Sequence, residues 1–110
     1  GNGSQTRTFC HVKDVVSGLV ELSETEEAVG KAINLGSDEE ISINHLAAKI
    51  KEMTKSPSQI VHIPYRTAYG EEFGAVLRRV PDLTLVKNII GFQSTYDIDA
   101  ILKSVLESFV

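Results

Sequence analysis

Arginines are the residues of this 110-residue sequence that are best suited to holding an anionic ligand. Arg7 follows a polar, glycine-punctuated start, GNGSQT, and leads into an extended segment, so its side chain is expected near the end of a sheet. An arginine there can make a charge-assisted, bidentate contact to phosphate. The adjacent Arg78 and Arg79 allow the same interpretation. Taken alone, each of the three is also typical of solvated surface charge.

The histidines and the one cysteine give no pattern typical of catalysis or metal binding. His11 is placed to transfer a proton, but a histidine where a strand leads into a helix favours a structural role. His45 and His62 have no metal-ligand spacing with each other or with Cys10. Because Cys10 has apolar neighbours and no adjacent base, it is expected to be a packed thiol. We predict no catalytic residue and no metal ligand in this chain.

Motifs that would complete an enzyme are missing from the sequence. It contains no G-x-G-x-x-G, no G-x-x-x-x-G-K-[ST] and no G-x-S-x-G. A Tyr-x-x-x-Lys pair, which places a phenol and an ammonium on one helix face, is missing as well. Tyr65 and Tyr69 are followed at that offset by Tyr69 and Phe73. The chain alone therefore lacks a complete catalytic apparatus.

Composition and charge narrow the class of protein. The chain is 42% hydrophobic and 24% charged, as in ordinary globular domains, and its length predicts one domain over residues 1–110. The net charge is −4 and the basic residues are scattered, so nucleic acid is not an expected partner. Apolar runs are short and no signal peptide is visible, so no membrane partner is expected. A single cysteine fits a reducing compartment, and we expect a cytoplasmic location.

Apolar periodicity predicts an α/β fold in which about three short strands pack with about four helices. Asp14 is expected to be the N-cap or a first-turn acid of the first helix, and Ser42 the N-cap of the second. A loop over residues 65–81 is long for a compact domain and carries two tyrosines and three arginines, which is typical of a binding loop. A single helical turn over residues 75–78 is the alternative. The predicted strands cover residues 7–12, 31–35 and 59–63, and the helices about 15–24, 43–56, 82–90 and 97–109.

Three ordered segments resemble the C-terminal, substrate-binding part of the NAD-dependent epimerase/dehydratase family, the extended short-chain dehydrogenases that act on nucleotide sugars. The segment GNGSQTRTFCHVKDV is similar to the family's GDGxQxRDFxxVxDL. AINLGSDEEISINHLAAKI resembles xNLGxGxxxSxxELAxxI, and RRVPDLTLVKNIIGFQSTYDIDAIL resembles RxPDxSKAxxxLGWxPxxxLxExL. Departures include Thr8 for the family's Asp and Phe92 for its Trp, and these leave substrate preference open.

The resemblance implies a site for a nucleoside diphosphate. The arginine that matches Arg7 contacts the diphosphate in the family, and the aromatic residue that matches Phe9 lies near the nucleoside. The apolar residue that matches Ile43 packs by the base. An arginine near Arg79 completes the phosphate clamp; the register between Arg78 and Arg79 is open because the preceding loop varies in length. The implied ligand is a UDP- or dTDP-sugar.

The resemblance also implies that the chain is the C-terminal lobe of such an enzyme without its Rossmann domain. That N-terminal domain would bind NAD and supply the catalytic Tyr and Lys, so no turnover is expected from this chain alone. An apolar surface and an unpaired strand edge left by its absence favour self-association. The alternatives are a non-enzymatic nucleotide-binding or dimerisation module and a structural fragment that binds nothing. The sequence does not choose among epimerase, dehydratase and decarboxylase.

Overall fold

The computed structural model describes residues 1–70 and 76–109 and confirms an α/β chain. Its elements within those residues are a two-stranded sheet, five α-helices and one short 3-10 helix. In chain order they are β1 (Thr6–Thr8), α1 (Val12–Ser23), the 3-10 helix (Glu26–Ala28), β2 (Glu40–Ser42), α2 (Ile43–Thr54), α3 (Tyr65–Tyr69), α4 (Thr84–Ile90) and α5 (Ile98–Glu107).

The chain divides into two compact units. The first joins Gly1–Arg7 to Glu40–Arg79, and the second joins Thr8–Glu39 to Val80–Val110. Single-domain behaviour over residues 1–110 stays a prediction. Within the described residues, no helix is both long and apolar enough to span a membrane.

In the first unit the start of α2 organises the N-terminal segment. Ser42 is the N-cap, as the sequence predicts, and its hydroxyl accepts a hydrogen bond from the backbone N–H of His45 at 3.1 Å. The backbone N–H groups of Ile43 and Asn44 have no partner inside the helix. They donate to the carbonyl oxygens of Gln5 and Gly3, respectively. The polar GNGSQT run is therefore bound to the first turn of α2.

In the second unit α4 and the segment after it form the core. Val86 is fully buried, and Leu83 and Phe92 pack beside it. Leu22, Ile33, Leu35 and Ile90 pack around this cluster. Gly18 of α1 lies close to it, since a Cβ at that position would stand 2.7 Å from Leu35 Cδ1 and 3.1 Å from Phe92 Cε2. A glycine thus lets α1 approach the core.

The first helix begins at Val12, earlier than the predicted start at about residue 15. Its N-cap is His11, whose Nδ1 accepts a hydrogen bond from the backbone N–H of Lys13 at 3.0 Å. Asp14 is the first-turn acid, the second of the two predicted roles, and it is buried. A histidine caps the helix because its ring nitrogen reaches the same orphan N–H that a Ser or Asp oxygen usually takes.

The strand predictions were largely wrong. The first strand covers only Thr6–Thr8, and residues 31–35 and 59–63 are not strands in the structure. β2 was not predicted, nor was α3, which occupies the start of the expected loop. Strands need a hydrogen-bonded neighbour, which the local pattern cannot supply. Residues 71–75 of the loop, with part of the alternative turn over 75–78, lie outside the described residues.

Candidate functional site

Four of the five predicted ligand residues lie in the first unit. These are Arg7, Ile43, Arg78 and Arg79, whereas Phe9 lies in the second unit and is half-buried. Arg7 is the middle residue of β1 and Ile43 is the first residue of α2. The position of the two later arginines depends on how their segment pairs with β1.

A parallel bridge between Thr6 and Arg78 fixes that pairing. The backbone N–H of Thr6 donates to the carbonyl oxygen of Leu77 at 2.9 Å. The bridge is isolated, and Arg7 and Arg79 are the residues that follow its two members. Because successive side chains of extended backbone alternate between faces, a register continued by one residue would place Arg7 and Arg79 together on the face opposite to Thr6 and Arg78.

On the Thr6 face, Arg78 is engaged by a carboxylate. Its Nε and Nη2 donate to Oε1 and Oε2 of Glu40 at 3.0 and 3.3 Å, a two-pronged contact. The Thr6 hydroxyl donates to Oε1 of the same carboxylate at 2.6 Å. The Thr6 hydrogen bond and then the Arg78 contacts hold the pKa of Glu40 below its ordinary value. The positive charge of Arg78 is therefore largely balanced within the protein.

The other two arginines keep their charge uncompensated. Arg7 is half-buried and its Nη1 donates to its neighbour's carbonyl oxygen, that of Thr6, at 2.6 Å. Arg79 is exposed. Neither has an ion-pair partner among residues 1–70 and 76–109. Two arginines that each lack an ion-pair partner among the described residues suit a multiply charged anion.

Ile43 lines an apolar cavity of about 320 Å³ in the first unit. That volume lies at the lower end of the range of small-molecule pockets. The side chains of Gln5, Asn44 and His62 are polar groups of its wall. Asn44 Oδ1 lies 2.7 Å from His62 Nε2, and Gln5 Nε2 donates to the hydroxyl of Tyr65, outside the lining, at 3.3 Å. An apolar space with a few amide and ring nitrogens can take a flat heterocycle.

The chemically active side chains of the second unit are held by structural contacts. His11 is buried, stacks on Tyr96 with ring centroids 4.0 Å apart, and has its Nε2 2.9 Å from Ser104 Oγ. Cys10 is half-buried, and burial raises the pKa of its thiol, which disfavours the reactive thiolate. In the described part of the chain, no three His, Cys, Asp or Glu side chains gather as metal ligands.

A larger cavity, of about 480 Å³, also lies in the second unit and was not anticipated. Ser37, Asp38, Lys87 and Phe92 are among the residues that line it. Lys87 Nζ and Asp38 Oδ2 form an ion pair at 3.0 Å, so the principal cation of the cavity is already paired. None of the predicted ligand residues lines this cavity.

The sequence did not identify Glu40, whose carboxylate binds the guanidinium group of Arg78. It belongs to the acidic run SDEE, which reads as a solvated turn after Gly36. A strand of three residues carries too little alternation to reveal which of these acids faces a neighbour. Only the pairing of three separate chain segments identifies it.

Comparison with known proteins gives consistent relatives. The family model described as GDP-mannose 4,6 dehydratase matches residues 1–105. A UDP-N-acetyl-alpha-D-glucosaminuronate decarboxylase of Bacillus cytotoxicus is 35% identical over 99% of this chain, and UDP-glucuronic acid decarboxylase 1 of Danio rerio is 33% identical over 99%. The chain spans 34% and 24% of these two relatives' lengths.

Solved structures share the fold. An epimerase from Methanothermobacter thermautotrophicus superposes with a TM-score of 0.88 at 29% identity, covering 99% of this chain and 31% of that one. UDP-glucose 4-epimerase from Thermotoga maritima, solved with UDP-glucose, gives a TM-score of 0.78 at 25% identity, with 99% and 33% covered. The similarity thus extends along nearly the whole chain and covers about a quarter to a third of each relative's length.

Proposed function

The chain belongs to the NAD-dependent epimerase/dehydratase family of extended short-chain dehydrogenases, and on that premise we propose that it binds the nucleoside diphosphate of a nucleotide sugar. The observation that carries the proposal is the parallel bridge between Thr6 and Arg78, since a register continued by one residue would set Arg7 opposite Arg79. A diphosphate presents several anionic oxygens, and a guanidinium group can bind two such oxygens with parallel hydrogen bonds. The arginines would neutralise this charge from one side of the sheet.

The nucleoside part of the ligand is assigned to the apolar residues. Ile43 contacts the base, with the cavity that it lines as the supporting feature. For Phe9 a place near the nucleoside is implied by the family pattern alone, and it stays a prediction. Uridine is the proposed nucleoside, because the decarboxylase relatives and the Thermotoga maritima epimerase are named for UDP-sugars. A dTDP-sugar is the alternative to be compared.

Catalysis is assigned to a separate domain that binds NAD. The sequence carries neither the glycine-rich fingerprint nor the Tyr-x-x-x-Lys pair, so no NAD site is derived for it. A face of α1 supports such a partner: Val12, Val16, Leu19 and Val20 are 52–67% exposed although they are apolar. We propose that a Rossmann domain covers this face and oxidises and re-reduces the sugar in the cytoplasm.

Titration calorimetry with UDP tests the ligand assignment. We expect Arg7→Ala and Arg79→Ala each to weaken binding about tenfold or more, since a hydrogen bond to a charged group contributes about 1.5–3 kcal/mol. Arg78→Ala should have a smaller effect because Glu40 already balances its charge. Lys103→Ala, which removes an exposed cation on α5, is the matched control and should bind like the unmodified chain. Absence of binding at millimolar UDP would refute the proposal.

A non-enzymatic nucleotide-binding module is the second candidate, favoured by the absence of catalytic motifs from the sequence. The two candidates share the UDP site and differ in turnover. NAD reduction should be measured with a UDP-sugar, with and without an added Rossmann domain from a relative. Turnover only in the reconstituted mixture supports the enzyme part; UDP binding without turnover in either case supports the module.

A further inference from the structure

We propose that Glu40 is a positioning residue of the arginine site: it holds Arg78 and thereby fixes the register that sets Arg79 beside Arg7. This inference rests on the proposed nucleoside diphosphate site and deepens it. Glu40 itself is not expected to contact the ligand. Its effect on binding passes through Arg78 and the chain segment that Arg78 anchors.

The contacts of Glu40 join three separate segments of the first unit. It begins β2, receives the Thr6 hydroxyl of β1 at 2.6 Å, and holds both Nε and Nη2 of Arg78. A two-pronged guanidinium contact restricts orientation as well as distance. The backbone at Leu77 and Arg78 is bound to β1 in two ways. The N–H of Thr6 donates to the carbonyl oxygen of Leu77, and Thr6 and Arg78 form the parallel bridge.

Register determines which arginine serves the ligand. If the segment moved by one residue along β1, alternation would place Arg78 on the Arg7 face and turn Arg79 toward Glu40. A one-residue bridge specifies register weakly, because few backbone hydrogen bonds would be lost if the pairing shifted. The carboxylate supplies the missing specificity by binding the side chain of one arginine at a defined place.

Electrostatic repulsion alone predicts the opposite change in UDP affinity when Glu40 is neutralised, and this difference makes the inference testable. A carboxylate near a diphosphate repels it, so removing a bystander charge at Glu40 should leave UDP binding unchanged or tighten it. Under the positioning role, Glu40→Gln weakens binding, because the neutral amide cannot hold both Nε and Nη2 of Arg78. We expect UDP affinity to fall about fivefold, a size usual for coupled neighbours.

The experiment is UDP titration of the full chain with matched variants. Asp38→Asn removes the carboxylate of the exposed Lys87 pair in the second unit and makes the same change in net charge. It should leave UDP affinity unchanged. The double variant Glu40→Gln with Arg78→Ala should bind no more weakly than Arg78→Ala alone, since Glu40 acts through Arg78. Amide NMR spectra establish that each variant is folded.

Glu40→Asp carries the test if Glu40→Gln fails to fold. It keeps the charge and shortens the reach, so positioning predicts weaker UDP binding whereas pure electrostatics predicts no change. The inference is overturned if folded Glu40→Gln binds UDP as tightly as the unmodified chain or more tightly, or if Glu40→Asp binds UDP with unchanged affinity. In that case a loss of UDP affinity in Arg7→Ala would still support the proposed site. If the unmodified chain binds no UDP, the proposed function fails and this inference fails with it.

Discussion

At the scale of single residues, Gly3 and Gly30 have the same backbone φ angle but different neighbouring side chains. Gly3 and Gly30 both have a φ of 74°, in the region that L side chains rarely adopt. A Cβ at Gly30 would meet open space, whereas a Cβ at Gly3 would overlap the side-chain amide of Asn44. That amide is held by His62 and by the carbonyl oxygen of Asn2.

Alanine substitution should separate the two effects at these glycines. Gly30→Ala incurs only the backbone penalty, about 1–2 kcal/mol in the free energy of unfolding. We expect Gly3→Ala to lose at least about 1 kcal/mol more, because Asn44 must leave its partners. Urea denaturation of both variants measures the difference. Equal losses would show that Asn44 moves aside without cost.

The charged residues show what local sequence cannot decide. Arg78 and Arg79 are identical side chains in adjacent positions, so no propensity distinguishes them. The bridge to Thr6 and the carboxylate of Glu40 give them different neighbours. The choice of Arg79 as the partner of Arg7 comes from the family resemblance, and the contacts of Arg78 with Glu40 support it. It stays a prediction until ligand binding is measured.

At the scale of elements, Asp14 anchors the first turn of α1 to the segment before α5. Its carboxylate accepts hydrogen bonds from the N–H and hydroxyl of Thr95 and from the N–H of Tyr96, at 2.6–3.1 Å. Burial by itself raises the pKa of Asp14, but these hydrogen bonds outweigh it and hold the pKa below its ordinary value. The ionised form is therefore favoured in the folded chain.

Acid should weaken this anchor. Because the folded pKa of Asp14 is lowered, its stabilisation is present above the unfolded pKa and is lost as pH falls through the folded value. Asp14→Asn should lower the free energy of unfolding at neutral pH by about 2 kcal/mol and flatten its fall below about pH 4. Glu21→Gln, an exposed acid on the same helix, is the control. Denaturation across pH 2–7 measures the free energy of unfolding of both variants. If that free energy fell with acid as steeply in Asp14→Asn as in the unmodified chain, Asp14 would not be the group whose protonation weakens the fold.

Helices were predicted well and strands poorly, for one physical reason. The bonds of a helix lie within four residues, so caps such as Ser42 and Asp97 and the stop at Gly91 are readable in the sequence. A strand is defined by a partner elsewhere in the chain. The apolar residues 31–35 have a strand composition, but they pack into the core of the second unit through Ile33 and Leu35 without a strand partner.

At the scale of the whole molecule, the apolar face of α1 should drive self-association when no partner domain is present. The four side chains Val12, Val16, Leu19 and Val20 are apolar and each is more than half exposed, and contiguous exposed apolar surface favours association. We expect the mass measured by light scattering to rise with concentration, and Val16→Glu to reduce that rise. Val61→Glu, on an exposed valine of the first unit, is the matched control. A strict monomer at all concentrations would contradict this prediction.

The sequence by itself determined the family, four of the five α-helices of the described residues and the identity of the phosphate-binding candidates, because motifs and caps are properties of neighbouring residues. Phe9, Ile43 and the arginines came from that information alone. Only the tertiary structure decided that Glu40 holds Arg78 and that Arg78 bridges Thr6, the neighbour of Arg7. Those relations join residues more than thirty positions apart, and pairing over such distances is determined by hydrogen bonds and charges that meet only after folding.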